Sequence, residues 1–160
     1  MTPTGRSERV PIGWREWVSL PEWDVAHLKA KVDTGARTSS LHAFDLEHFD
    51  RDGADWVRFE IHPWQRSVDD SVIAEAAVTA TRDVKSSSGD VEHRPVVRTT
   101  VTIAGRPVAA EITLTRRDDM GFRMLIGREA LRRRFVVDPG VSYTGGRPPT
   151  TVRSKNRGRP

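Results

Sequence analysis

Lys29-Ala30-Lys31-Val32-Asp33-Thr34-Gly35-Ala36-Arg37-Thr38-Ser39-Ser40-Leu41-His42-Ala43 is the stretch on which the reading of this chain turns. Upstream of it, Val25 to Val32 alternates imperfectly between apolar and polar residues, the mark of a half-buried strand. That strand runs directly into Asp33-Thr34-Gly35. A carboxylate at the end of a rigid strand is held firmly. The Thr hydroxyl can brace a neighbouring loop, and Gly lets the backbone approach closely enough for its N–H to face the carboxylate. Taken alone, the tripeptide is a weak signal that occurs by chance in many proteins, and an ordinary Asx-type turn is the reading it favours.

Working outward, Val10 to Leu20 reads as a strand bent at Gly13, followed by a turn at Pro21 to Asp24. Ser39 to Phe44 is a second short strand, and Asp52-Gly53 marks a turn between Phe49 and Asp55. In Trp56 to Ile61, Val57, Phe59 and Ile61 alternate with polar or amphipathic residues, as in a half-buried strand. His62 to Ser71 reads as a polar loop. Val72 to Thr81 and Val91 to Ile103 are β-rich and flank a polar tip, Asp83 to Asp90. Ala104-Gly105-Arg106 is a tight turn into Pro107 to Leu114, and Arg116 to Gly121 is a loop. Met124-Leu125-Ile126 is a short apolar strand ended by Gly127. Arg128 to Arg134 is the one convincing helix, and Phe135 to Val137 a last strand. Many short strands with one short helix indicate an all-β, barrel-like domain.

The 160 residues suffice for one domain with one core. No apolar stretch approaches the roughly 20 residues of a membrane-spanning helix, and Met1 to Arg9 lacks the apolar run of a secretory signal. Cysteine is absent, which excludes disulfides and thiolate metal sites. A cytoplasmic location is therefore expected. Five of the 26 basic residues and none of the 22 acidic ones lie beyond Asp138. The expected organisation is a flexible N-terminus over 1–9, a folded domain over 10–138, and a basic, disordered tail over 139–160. The tail is either solvated or a contact to RNA or the ribosome through phosphate charge.

Two motifs in order, Asp33-Thr34-Gly35 and then Met124-Leu125-Ile126-Gly127-Arg128, resemble the retropepsin family. Thr100 to Val108 is similar to the strand–turn–strand that precedes the second motif there. A closer resemblance is to a bacterial family of retropepsin-like proteins, carried by Lys29 to Ala43, by Glu92-His93-Arg94-Pro95-Val96-Val97 and by Met124 to Leu131. Members of that family have been labelled ATP-dependent zinc proteases and are associated with ligases that add glutamate to a ribosomal protein. The chain has neither H-E-x-x-H nor G-x-x-x-x-G-K-[ST]. No metal or cofactor is expected, and its five histidines are read as structural or solvated.

The resemblance implies a closed, barrel-like acid-protease fold with a short C-terminal helix. It also implies a symmetric homodimer in which Asp33 and its mate act as an aspartic endopeptidase on a peptide or protein substrate, with Thr34 and Gly35 supporting the catalytic loop. The tip carrying Ser88 and Gly89 is then either a flap over the substrate or an ordinary hairpin. Arg37, Arg94 and Arg128 are candidate substrate-binding cations for acidic, glutamate-rich peptides; for Arg37 and Arg128 an ion pair bracing the dimer is the alternative. A cation at a helix N-terminus is disfavoured by the dipole, so an acidic partner is expected for Arg128.

Overall fold

A computed structural model describes residues 8–85, 88–116 and 121–159. The strands are β1 (Val10–Gly13), β2 (Arg15–Leu20), β3 (Val25–Val32), β4 (Ser39–His42), β5 (Phe44–Arg51), β6 (Ala54–Ile61), β7 (Val72–Ala77), β8 (Ala80–Lys85), β9 (Val91–Ile103), β10 (Arg106–Thr115), β11 (Met124–Ile126) and β12 (Phe135–Asp138). Two short helices, α1 (Arg128–Leu131) and α2 (Thr150–Asn156), complete the elements, with a 3-10 turn at Pro21–Trp23. Residues 1–7, the tip residues 86–87 and most of the loop expected over Arg116 to Gly121 lie outside the described residues. Among the described residues, no helix is long and apolar enough to cross a membrane.

The main sheet has the order β10-β4-β11-β3-β2-β9-β8, and β9 also pairs with β10. Pairing therefore runs round in a ring, which answers the barrel-like expectation and leaves β8 as an outlier on β9. Alternation explains which side faces inward. In β3, Leu28, Ala30 and Val32 are buried while His27, Lys29 and Lys31 are half-buried on the other side. β6 behaves the same way: Val57, Phe59 and Ile61 face inward, and its sheet, β5-β6-β7, joins the common core through Trp23 against Phe59. Each fully buried Leu, Ile or Phe contributes about 1.5–3 kcal/mol, so this inward stripe sets the register.

Three sequence expectations are corrected. α1 stops at Leu131 instead of Arg134, because Arg132 turns to an extended ψ of 129° and Arg133 then adopts a left-handed conformation. His62 to Ser71 is not uniformly a polar loop: His62, Pro63 and Trp64 are buried. Most consequential, the segment after Asp138, expected to be a disordered tail, is ordered against the domain. Glu16, fully buried, accepts hydrogen bonds from the Gly13 N–H (2.7 Å), the Thr144 N–H (3.0 Å), the Thr144 hydroxyl (2.8 Å) and the Gly145 N–H (3.0 Å). A buried carboxylate needs such donors, and backbone supplies them whatever the composition. Further along, α2 is anchored by Asn156, which accepts from the Gln65 N–H at 2.8 Å and donates to Gln65 Oε1 at 2.8 Å.

Candidate active site

The ladder of β3 continues one residue beyond the strand. β11 lies parallel to β3, Ile126 opposite Val32, and antiparallel to β4. The Asp33 N–H donates to Ile126 O at 2.9 Å, so the buried Met124-Leu125-Ile126 strand fixes where Asp33 leaves the sheet. The chain then turns through Gly35, whose N–H donates to Asp33 Oδ1 at 2.9 Å, and Ala36, whose N–H donates to Asp33 O at 3.2 Å. The carboxylate is oriented by its own loop. Among the described residues, the second Asp33 oxygen and the exposed Thr34 hydroxyl have no hydrogen-bond partner.

Gly127 explains why the second motif needs glycine. A Cβ there would stand 2.6 Å from the carbonyl carbon and oxygen of Thr38 and 2.9 Å from Ala36 O. This close approach lets the Arg128 N–H reach Ala36 O (2.8 Å), the Glu129 N–H reach Arg37 O (3.1 Å) and the Gly127 N–H reach Ser39 Oγ (3.1 Å). Residues 126–129 thus hold 33–39 at successive points.

The candidate cations divide. Arg128 has no acidic partner among the described residues; its Nη1 lies 3.3 Å from Gly35 O and 3.5 Å from Thr34 O. Carbonyl dipoles of the Asp33 loop offset its charge, so the expected acid is replaced by backbone. Arg37 is exposed and lies 3.6 Å from Glu129. Arg94 is mostly buried, its Nε donating to Glu92 at 3.1 Å. Burial pushes the Glu92 carboxyl up, but the Arg116 N–H, Arg94 and the Thr115 hydroxyl outweigh it and hold the group below its ordinary value.

Arg37 and Arg94 meet in one pocket of about 290 Å³ beside the Asp33 loop, whose lining also includes Ala36, Thr38, Arg82 and Thr115. Arg82, which sequence reasoning missed, lines the same pocket and lies 3.4 Å from Glu111. The available signal was register, since Arg82 stands opposite Arg94 across β8 and β9. Ser88 and Gly89 are exposed at the end of that hairpin and do not line the pocket. Among the described residues no group of three or more His, Asp or Glu is placed to hold a metal. His42 and His62 are buried against Phe44, with ring centroids 4.3 and 3.7 Å from it.

Residues 11–148 match the model of a family described as RimB-like, retropepsin-like aspartic endopeptidase RimB. Curated relatives include a protein named probable alpha-L-glutamate ligase from Shewanella halifaxensis, 44% identical over 135 residues that make up 84% of this chain and 30% of the relative. A protein of the same name from Parasynechococcus marenigrum is 43% identical over 140 residues, 88% of this chain and 30% of that one. The chain therefore spans about 30% of the length of these relatives. Among solved structures, a Legionella pneumophila protein of unknown function is similar with a TM-score of 0.72 at 25% identity, covering 86% of this chain and 99% of the other.

Proposed function

The chain belongs to the RimB-like family of retropepsin-like aspartic endopeptidases, and from this premise we propose that it hydrolyses peptide bonds as a homodimer with Asp33 at the symmetry axis. The observation carrying the proposal is the half-finished state of the loop. One Asp33 oxygen is held by Gly35, while the other oxygen and the Thr34 hydroxyl have no partner among the described residues. A second copy related by a two-fold axis would bring an identical loop to them.

Two carboxylates so close cannot both ionise cheaply, so the pair holds one proton. The ionised carboxylate takes a proton from a water molecule as its oxygen attacks the peptide carbonyl carbon, and the protonated carboxyl donates to the carbonyl oxygen. Collapse of the tetrahedral intermediate breaks the C–N bond. The amine leaves with a proton given by the pair while a hydroxyl of the gem-diol returns its proton to the pair, so one proton again remains on the two aspartates. Arg128 acts from behind, holding the loop by its carbonyls.

The pocket with Arg37, Arg82 and Arg94 suits an acidic side chain next to the scissile bond. The ligase name carried by the relatives supports a glutamate-rich peptide, such as one made by that type of reaction. The Asp33→Asn variant is the test. Cleavage of a glutamate-rich peptide should fall by about 10²–10⁴-fold while sedimentation still shows the dimer; undiminished cleavage would remove Asp33 from the mechanism.

The ligase name and the 30% span favour one second reading: a non-catalytic module that serves a glutamate ligase. Wild-type protein that cleaves no glutamate-rich peptide but changes the output of such a ligase would establish it.

A further inference from the structure

The outer side of β2 and β3 carries charge that the peptidase reading does not use. Arg15 and Trp17 alternate with buried Glu16 and Val18, and Lys29 and Lys31 with buried Leu28, Ala30 and Val32. In register, Arg15 faces Lys31 and Trp17 faces Lys29. The ordered segment after Asp138 adds Tyr143 and Arg147 to this side.

Three cations converge on the Tyr143 ring: the Arg15 guanidinium at 4.9 Å, the Arg147 guanidinium at 4.9 Å and the Lys29 ammonium at 5.4 Å from its centroid. Arg15 also lies 4.5 Å over Trp14, and its Nε donates to Ser142 Oγ at 3.1 Å. Lys29 lies 5.8 Å over Phe122. Among the described residues none of Arg15, Lys29, Lys31 and Arg147 has an ion pair. The nearest carboxylate in sequence, Glu16, is buried with its oxygens engaged by Gly13, Thr144 and Gly145.

The three charges around Tyr143 therefore sit within about one Debye length at 0.1 M salt, roughly 10 Å. Cation–π contacts of about 0.5–2 kcal/mol each hold them there but do not neutralise them. Beside them runs a groove of about 310 Å³, lined among others by Trp17, His27, Thr102, Arg147 and Pro149, with no carboxylate in its lining.

We propose that this face binds single-stranded nucleic acid, with phosphates along Arg15, Lys29, Lys31 and Arg147 and a base stacked on Trp17 in the groove. Uncompensated cations interleaved with half-buried aromatic rings suit a chain that alternates phosphates and flat bases. An acidic peptide would answer the charge but not the rings. The surface is independent of the Asp33 chemistry.

The probes are fluorescein-labelled oligouridylate and oligodeoxythymidylate of about 12 nucleotides, followed by anisotropy across a salt series. Saturable binding is expected. In Lys29→Gln/Arg147→Gln, affinity should fall at least about tenfold and the slope of log K against log salt should shrink by about 1.4, two phosphate contacts at 0.7 each. Trp17→Leu should weaken binding with the slope unchanged, a split that a merely structural role would not produce. Arg157→Gln/Arg159→Gln, on the far end of the segment, should bind as wild type. If the double variant fails to fold, Lys29→Gln alone should lower the slope by about 0.7. Preference between the two oligonucleotides separates RNA from DNA as the source. The proposal is overturned by absence of saturable binding at low salt. It is also overturned if the loss follows the Arg157/Arg159 control, or if a glutamate peptide of equal charge displaces the oligonucleotide at lower concentration.

Discussion

Gly127 has no left-handed conformation to protect; its constraint is space. The methyl of a Gly127→Ala variant would meet backbone atoms of Thr38 at 2.6 Å, and backbone cannot swing aside as a flexible side chain can. Either α1 or the segment 36–38 has to shift, costing about 1–3 kcal/mol. For a chain of this size that lowers the melting temperature by roughly 2–4 °C per kcal/mol. Because the displaced segment follows Asp33, peptidase activity should fall even where the protein remains folded, measured well below the melting temperature. Glu92 makes a different residue-scale argument. Its folded-state carboxyl lies below the ordinary value of 4.5, so it contributes stability above that value, lost as pH falls through the lower folded value. Urea unfolding at a series of pH values between neutrality and about pH 3 should show a smaller acid-side decline in Glu92→Gln than in wild type. Asp33 and Glu92 illustrate how legibility varies: Asp33 was visible as a motif, whereas Glu92 became notable only when Thr115 and Arg116, distant in sequence, proved to be its donors.

At the scale of elements, β11 and the segment after β12 do comparable jobs from opposite ends of sequence legibility. β11 is three apolar residues followed by a glycine, and its insertion between β3 and β4 follows from having no polar side to show water. The segment 139–149 is polar and glycine-rich, and composition argued for disorder. It is held instead by the Glu16 carboxylate and by room at Gly13, where a Cβ would lie 2.3 Å from Val141 O. Glu16→Gln should release it. Replacing one carboxylate oxygen with an amide N–H sets donor against donor and leaves buried N–H groups without an acceptor, at about 1–3 kcal/mol. The readouts are a lower denaturant midpoint and faster proteolysis after Asp138. A midpoint unchanged from wild type would mean that other contacts hold the segment.

For the whole molecule, the ring of strands presents one Asp33 carboxylate per chain, and the proposed chemistry needs two. Specific activity should therefore fall on dilution as dimers dissociate, in parallel with the sedimentation coefficient measured over the same concentrations. Specific activity that stays constant into the range where only monomer sediments would end the two-fold proposal. The same scale bears on the basic residues. The net charge of +4 looked like the property of a tail, but folding gathers Arg147 with Arg15 and Lys29 around one tyrosine. Charge that is sparse along the chain becomes dense in space.

Local patterning was enough to identify the strands around Asp33, the turn at Asp33-Thr34-Gly35 and the buried Met124-Leu125-Ile126, because period-two burial and glycine spacing are written within a few consecutive residues. Only the tertiary structure decided that Arg128 braces the loop carbonyls, that Arg82 joins Arg37 and Arg94, and that residues after Asp138 fold back onto Glu16. Each of those depends on pairing between residues dozens of positions apart. Hydrogen bonds and ion pairs of that kind are chosen by which groups the closed ring of strands brings within about 3 Å, and no local pattern encodes that choice.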